Sequence, residues 1–372
     1  MTNYIRMVFR YFSFNGLTFN SSRNMIEDVT RLFRCGIVGL GRIGAGFDDN
    51  PHKSTISTHA GAYSTNRSVK LVSFCDIEKN RLLKYGKKYQ VTKLYTDFKE
   101  MFENEQLDCV SICTHTNSHL KIVEEAAKLD IKGIFLEKPI SDTLSHAAKI
   151  IKICEKKRIK LQVDHQRRFQ PLYQNIKKII RSQDLGRIQH VDAYYGAGIT
   201  NTGSHLFDLI RYFFGNIKWI EGIYGPNPSN NPSDPNIDGK VYCKSGVICS
   251  LHSFDVSNYG ILELDILSSK KRIRLNLAKS SAEYFKVAKK KGLVYGELMH
   301  YRHIIQNKKD AIVLGVENLI RSIRKNIDPL CTGYDGYHSL EAIIAMIESA
   351  NKRGQRTYLP LKKNTIKYFR DE

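Results

Sequence analysis

The side chains best suited to chemistry in this sequence are an ammonium and an imidazole. Lys138 stands between an apolar run and a proline, in Leu136-Glu137-Lys138-Pro139. The Lys-Pro bond is a candidate cis peptide, because cis bonds are confined almost wholly to X-Pro. A partly desolvated lysine near a hydroxyl can lower that hydroxyl's pKa or relay its proton. His205 follows Thr202-Gly203-Ser204 at the start of a helical pattern. At neutral pH its imidazole can take a proton from a secondary alcohol. Asp208 lies one turn on, on the same helix face, where it could orient the imidazole or bind a hydroxyl. His165, Arg167 and Arg168 cluster at a domain junction, and either guanidinium could hold an anionic or polyhydroxyl compound by forked hydrogen bonds. Each has a plain structural alternative: a turn lysine, a capping histidine beside a helix-surface acid, an interdomain arginine. No other His or Cys stands at ligand spacing from His205 and Asp208, so no metal is expected there.

These groups need elements to place them. The run Cys35 to Leu40 has β character and is followed by Gly39, Gly41 and Gly44 in G-x-G-x-x-G spacing. Residues 45–47 then begin what reads as a helix. This strand–turn–helix order is the context of a dinucleotide site. The first glycine permits the tight turn, the second lets a pyrophosphate approach the backbone, and the third lets helix and strand pack closely. The N–H groups of the helix's first turn would hold the phosphates. Arg42 and Ile43, between the glycines, belong to the same candidate cofactor surface. A polar loop, 48–57, precedes a helical stretch from Thr58 to Tyr63. A second strand, Val69 to Phe74, ends at Asp76, whose carboxylate is placed to accept from ribose hydroxyls. It would repel a 2′-phosphate, so NAD is favoured over NADP.

Strands Leu107 to Cys113 and Ile131 to Leu136 end at Thr114 and at Glu137-Lys138. Thr114, His115, His119 and Glu137 are further candidate cofactor contacts. Strands alternating with helices predict a doubly wound parallel sheet over 33–162. Ligands bind beyond the carboxyl ends of such strands, and Gly39 to Gly44, Asp76, Thr114 and Lys138 all fall at that edge. From residue 163 to 372 a second, α/β domain is expected. Its strands run in succession without intervening helices (239–243, 247–254, 260–268 and 272–277), which predicts an open, mostly antiparallel sheet. The signal weakens over 279–303. Helices are expected at 310–326 and 336–353, and the latter is a candidate to pack back on the first domain.

The chain has 372 residues and a formal net charge of +21, from 58 basic and 37 acidic residues. That charge can steer anions, but the lysines are spread as solvated faces and no nucleic-acid motif is present. No apolar run reaches membrane-spanning length. Eight cysteines without C-x-x-C spacing read as small buried hydrophobes in a reducing, cytoplasmic setting. Residues 1–32 are expected to form a loosely held extension. Its first 24 residues lack the apolar core of a secretory signal, and arginine and serine without acid also fit an organelle transit peptide.

Taken together, GIVGLGRIG, the acid of FCD at Asp76, LEKP, QRRFQP (166–171), TGSHLFDLIRYFFG (202–215) and the late helix around 333–355 resemble the Gfo/Idh/MocA oxidoreductases. The resemblance covers nearly the whole chain from about Arg34. It implies a Rossmann domain binding NAD(P), with NAD preferred, and a second domain supplying substrate contacts and oligomer surface. It implies hydride transfer to or from a hydroxyl of a sugar, inositol or sugar nucleotide, with Lys138 and His205 as the catalytic pair. His165, Arg167, Arg168, Asn201 and Asp208 would be substrate contacts. Asn201 occupies the position where inositol dehydrogenase-like members carry an aspartate, which weakens an inositol assignment. His115 replaces a proline common in the family and could touch the nicotinamide end. The charge and the 202–215 wording tilt toward an anionic sugar nucleotide. The rival readings are an inositol dehydrogenase-like enzyme, a keto-sugar reductase and a non-catalytic NAD-binding regulator. A homo-oligomer is expected, and neither nucleic acid nor membrane as partner.

Overall fold

The computed structural model describes residues 31–362 apart from Lys53, Asn230, Lys290, Lys291, Leu293 and 307–309, so nearly all of the expected N-terminal extension lies outside the described residues. Six short apolar segments form the first sheet: β1 (Phe33–Val38), β2 (Val69–Cys75), β3 (Lys93–Tyr95), β4 (Cys109–Ile112), β5 (Gly133–Leu136) and β6 (Lys160–Val163). Their order is β3-β2-β1-β4-β5-β6, all parallel. β4 and β5 are buried along their whole length, as strands covered on both faces must be. The connecting helices are α1 (His59–Thr65), α2 (Lys79–Tyr89), α3 (Phe98–Asn104), α4 (His119–Ala126) and α5 (Leu144–Lys157). Side chains cap several of them: Thr58 accepts from Gly61 N, Asp97 from Lys99 N and Thr143 from His146 N.

The helix expected directly after the glycine turn is interrupted. The amides of Ala45 and Gly46 bond to the Gly41 carbonyl, and a 3-10 turn covers Gly46–Asp49. The chain then leaves as a polar loop. When α1 begins, His59 N bonds to Ile43 O and Ala60 N to Gly44 O, at 3.1 and 3.0 Å. Thus α1 resumes the hydrogen-bond ladder that the glycine turn opened, and the loop bulges from between the two parts. Asp48 holds the bulge closed by accepting from Ser57 N at 2.7 Å.

The second sheet has nine strands. They are β7 (Ile188–Tyr195), β8 (Ile217–Tyr224), β9 (Ile237–Cys243), β10 (Ile248–Ser253), β11 (Glu263–Ser268), β12 (Lys271–Asn276), β13 (Ser281–Ala288), β14 (Glu297–Ile305) and β15 (Thr357–Tyr358). The order is β14-β13-β12-β11-β7-β10-β9-β8-β15. Only the β7–β10 pair is parallel. Helices α6 (Pro171–Arg181) and α7 (Gly203–Phe214) belong to this half; α8 (Ala311–Lys325) and α9 (Gly333–Asn351) follow it. The core separates into two clusters. Ile312, Val316, Leu319 and Ile320 of α8 join the cluster of the first sheet, whereas α9 divides its buried residues between both. All eight cysteines are buried and unpaired.

A buried ion pair crosses between the halves. Arg168, just past β6, gives its Nε to both carboxylate oxygens of Asp208 on α7, at 3.0 and 2.9 Å. Its Nη1 lies 3.0 Å from Asp335 of α9, which also takes Arg211. Arg168 and Asp208 are 4% and 2% exposed. Removing one partner leaves the other charge buried and uncompensated. Asp208→Ala is therefore expected to lower the unfolding free energy by about 3–5 kcal/mol. Urea unfolding measures this, and a loss under about 1 kcal/mol would show the pair to be solvent-screened instead.

Burial also sets a pH dependence. It lowers the imidazole pKa of His59 and His165 from 6.5 to about 4, and that of His119 in the same direction. Between about pH 6.5 and 4 the unfolded chain takes up protons on these groups while the folded chain does not. Asp164, whose carboxyl burial pushes up, opposes them in sign but is outnumbered. Stability is expected to fall on acidification through that window, by about 1.4 kcal/mol per pH unit for each net proton. A urea midpoint that rises as the pH is lowered there would contradict this.

Candidate active site

The glycine turn follows β1. Gly39 has φ +94, and a Cβ there would sit 2.7 Å from the Cys113 carbonyl oxygen. A Cβ on Gly44 would collide with the Gly39 carbonyl oxygen. By contrast nothing lies within 4 Å of the place a Gly41 Cβ would take. A backbone held tight on two sides and bare on the third is what a pyrophosphate needs. The turn therefore fits a dinucleotide. Arg42 points its guanidinium over the Phe47 ring at 4.9 Å, and Ile43 packs against the first core.

Asp76 ties two elements together. Its Oδ2 accepts from Leu40 N at 2.6 Å and its Oδ1 from Glu78 N at 2.8 Å, so it clamps the glycine turn to the end of β2. Arg81 lies 3.5 Å from Oδ1 and offsets part of the negative charge. Two carboxylate oxygens have about four lone-pair positions, so acceptor capacity remains for a ribose.

Past β4, the Thr114 hydroxyl is 2.7 Å from that of Ser118. His115 is exposed at the edge. His119 is fully buried, with Nδ1 3.1 Å from Ile140 O and Nε2 3.0 Å from Thr114 O. Both ring nitrogens face backbone carbonyls, and the neutral imidazole, with one N–H, donates to one of the two, so His119 braces the strand end and is turned away from a cofactor.

Lys138 leaves β5 through a cis peptide to Pro139. Its Nζ donates to Asn201 O at 3.3 Å, from one half of the molecule to the other. Asn201 belongs to the turn that leads into α7. Asp234 fixes this turn by accepting from Thr200 N at 2.9 Å and from Asn201 N at 3.0 Å. The residue type at 201 is thus less telling than its backbone, which serves Lys138 with the carbonyl and Asp234 with the amide.

His205 lies in the first turn of the same helix. Its ring is 6.2 Å from that of His165, centroid to centroid and edge-on. Burial, then the charges of Arg167 and Lys138, hold its pKa well below the usual value. At neutral pH it is an uncharged imidazole able to accept a proton. Asp208 does not orient it, because the carboxylate is spent on Arg168. For the same reason Arg168 has no free fork for a ligand, and the two residues serve the scaffold.

Arg167 differs from its neighbour. Its Nη2 donates to Leu277 O at 3.1 Å, while its buried Nε and Nη1 reach no acceptor in good hydrogen-bond geometry, the Tyr173 phenol being the polar group beside them. His165 is 2% exposed and neither ring nitrogen has a partner. Buried polar atoms are rarely left so. Here they lie beside Lys138 and His205, the groups whose charges and rings they feel.

Two residues that the sequence pattern did not single out join the site from below. His59 of α1 is fully buried, with Nε2 2.9 Å from Glu137 Oε1 and 3.9 Å from Asp164 Oδ2. Its Nδ1 is 2.9 Å from the Ser111 hydroxyl, which is hydrogen-bonded in turn to Tyr63. Glu137 Oε2 accepts from Lys138 N at 3.2 Å. The His59 imidazole and the two carboxylates offer atoms within 4.8 Å of one another, the closest pair at ordinary hydrogen-bond length. A groove of about 850 Å³ between α1 and α8, lined by Arg67, Glu317, Arg321 and Arg324, contains none of the site residues. No helix among the described residues is long and apolar enough to cross a membrane.

Comparison with known proteins identifies the family. The NAD-binding Rossmann-fold description of the Gfo/Idh/MocA oxidoreductases matches residues 33–165, and their C-terminal α/β-domain description matches 196–359. An uncharacterized oxidoreductase, YrbE of Bacillus subtilis (strain 168), is 25% identical over 62% of this chain, a stretch that spans little more than half (54%) of that protein. The myo-inositol 2-dehydrogenase of Thermotoga maritima is 22% identical over 82% of this chain and 93% of its own length. Among solved structures, the WlbA dehydrogenase of Bordetella pertussis, crystallised with NADH and UDP-GlcNAcA, shares the fold. It has a TM-score of 0.71 and 19% identity, over 89% of this chain and 100% of that one. The chain belongs to the Gfo/Idh/MocA family of NAD-binding oxidoreductases.

Proposed function

We propose that this protein is an NAD-dependent dehydrogenase acting on a secondary alcohol of a sugar or, by preference, a sugar nucleotide. The observation that carries the reading is the meeting of Lys138 and a neutral His205 where the two halves adjoin. The bound dinucleotide would supply the hydride acceptor, or the donor in the reverse direction. Gly39 to Gly44 would hold its pyrophosphate and Asp76 its ribose. The carboxylate favours NAD, although Arg81 beside it tempers the preference.

The chain's own residues move the proton. His205 accepts it from the hydroxyl, and the Lys138 ammonium hydrogen-bonds the same oxygen as negative charge develops there. Asn201 O keeps the ammonium aimed, so little ordering remains to be done at the moment of reaction. Arg167 and His165 present buried donors without acceptors, which supports a substrate with an anionic or polyhydroxyl group in that place. A neighbour of the same fold was crystallised with a sugar nucleotide, and the net charge of +21 would steer such an anion. Exposed Tyr194, Ile223, Tyr224 and Ile248 on the second sheet support self-association through that sheet, and eight free cysteines support a reducing, cytoplasmic setting.

Turnover with NAD is expected with a member of a panel of sugars, inositols and sugar nucleotides. Lys138→Ala and His205→Ala should each reduce kcat by about 10²–10⁴-fold, with NADH affinity, read by fluorescence, changed only a few-fold. Full activity in either variant would remove that residue from the reaction, and a binding protein without turnover would favour the regulatory reading. Gly41→Val should fold normally by circular dichroism but weaken NADH binding at least tenfold. Unchanged binding would place the dinucleotide elsewhere.

A further inference from the structure

Beneath Lys138 lies a group of buried ionisable residues that the reaction above does not use. Glu137 is 7% exposed, Asp164 1% and His59 0%. Three elements bring them together: Glu137 follows β5, Asp164 follows β6, and His59 begins α1. Burial disfavours charge on each. Two ionised carboxylates side by side would set two negative charges in an enclosed space. The groups facing them cannot absorb that. From α1 comes the Tyr63 phenol and from the end of β4 the Cys113 thiol, both pushed up by burial and so neutral. Beside Lys138, His165 past the end of β6 and His205 of α7 are neutral at pH 7 as well and add no compensating charge. The cations in reach are Lys138, one residue from Glu137, and Arg167.

The hydrogen bonds distinguish the two carboxyl groups. Glu137 accepts from His59 Nε2 and from Lys138 N, as an ionised carboxylate should. Asp164 Oδ1 has no donor at all, an arrangement costly for an anion and far less so for a neutral acid. The neighbouring carboxylate and burial both push the Asp164 carboxyl up, and burial holds His59 down. With Nε2–H given to Glu137, the His59 ring accepts at Nδ1 from the Ser111 hydroxyl 2.9 Å away only when that hydroxyl's single proton is turned from Tyr63, the phenol then donating to the serine oxygen.

We propose that Glu137 and Asp164 keep one proton between them, with His59 neutral, so that the triad carries a single negative charge and serves as the fixed counter-ion of Lys138. Asp164 is then a positioning residue that acts through Glu137: it adds a buried acid without adding charge. The role given to Lys138 rests on the dehydrogenase reading, whereas the shared proton does not.

The test uses the full chain. Infrared spectra recorded about pH 7 should contain a protonated-carboxyl C=O band that shifts on H/D exchange and disappears in Asp164→Asn. Exposed carboxyl groups are ionised well below that pH, so the wild-type band stands as evidence even if the variant fails to fold. Competitive acetylation with acetic anhydride, read at Lys138 by mass spectrometry across pH, reports the ammonium. Glu137→Gln removes the charge and should make Lys138 about tenfold more reactive near neutrality, one pKa unit lower. Asp164→Asn removes only a neutral acid and should change the rate less than about threefold. No carboxyl band at neutral pH, a stoichiometric bound metal, or an Asp164→Asn shift equal to that of Glu137→Gln would overturn the proposal. None of these readouts needs turnover, so a failure of the dehydrogenase reading leaves the shared proton standing, and the converse.

Discussion

The buried pairing of Arg168 with Asp208 holds the rest of the site in register. Both charges are withdrawn from water, which costs several kcal/mol for each ion. The cost is offset because the pair is bidentate and Asp335 closes the network from a third element. The consequence is mechanical. Arg168 sits five residues past the last strand of the first sheet, and Asp208 sits one turn beyond His205 on the helix that begins at Gly203. Fixing one to the other fixes the imidazole relative to the carboxyl edge of the parallel sheet, where Lys138 emerges. The Lys138 contact with Asn201 O then becomes a consequence of the packing and not a substitute for it.

The second constraint is charge. Lys138 and Arg167 bring positive charge to one small volume, and the imidazoles between them stay neutral under that field. Asp208 and Asp335 are consumed by Arg168 and Arg211. What remains on the ligand side is a set of donors short of acceptors, Arg167 above all. On the side away from the ligand the acids of the triad supply a measured amount of negative charge. In the proposed reaction this arrangement of charge would favour an electron-rich group beside Lys138 and Arg167.

Much of this was legible in the sequence because it is local. The glycine spacing after an apolar run, the acid at the end of β2, and the Glu-Lys-Pro and Gly-Ser-His words each sit within a few residues of the element that positions them. Where local pattern failed, the physical reason is visible. The strand β8 went unread because a bulge between Ile217 and Trp219 breaks its period of two. Almost every residue of β14 is exposed, so it has no apolar alternation to read, and it carries a bulge at Tyr301, opposite Tyr284 and Phe285 of β13. The helix start, the polar loop and the helical stretch from Thr58 were each legible, but not that α1 takes up across the loop the hydrogen-bond ladder of the glycine turn.

The roles of Asp208, Arg168 and His119 were illegible for a different reason. Helical spacing places Asp208 on the face of His205 but cannot say that an arginine 40 positions away will claim it. His119 sits where a cofactor contact was expected, yet its buried ring is turned between two backbone carbonyl groups. His59 and Asp164 approach Glu137 across 78 and 27 positions of chain, and no periodicity encodes that meeting. A crystal structure with NADH and a sugar nucleotide bound tests the central claim most directly. The account predicts a single carbinol oxygen within about 3 Å of both Lys138 Nζ and an unprotonated nitrogen of His205, with its carbon turned toward nicotinamide C4. A bound sugar whose hydroxyls touch neither group would contradict it.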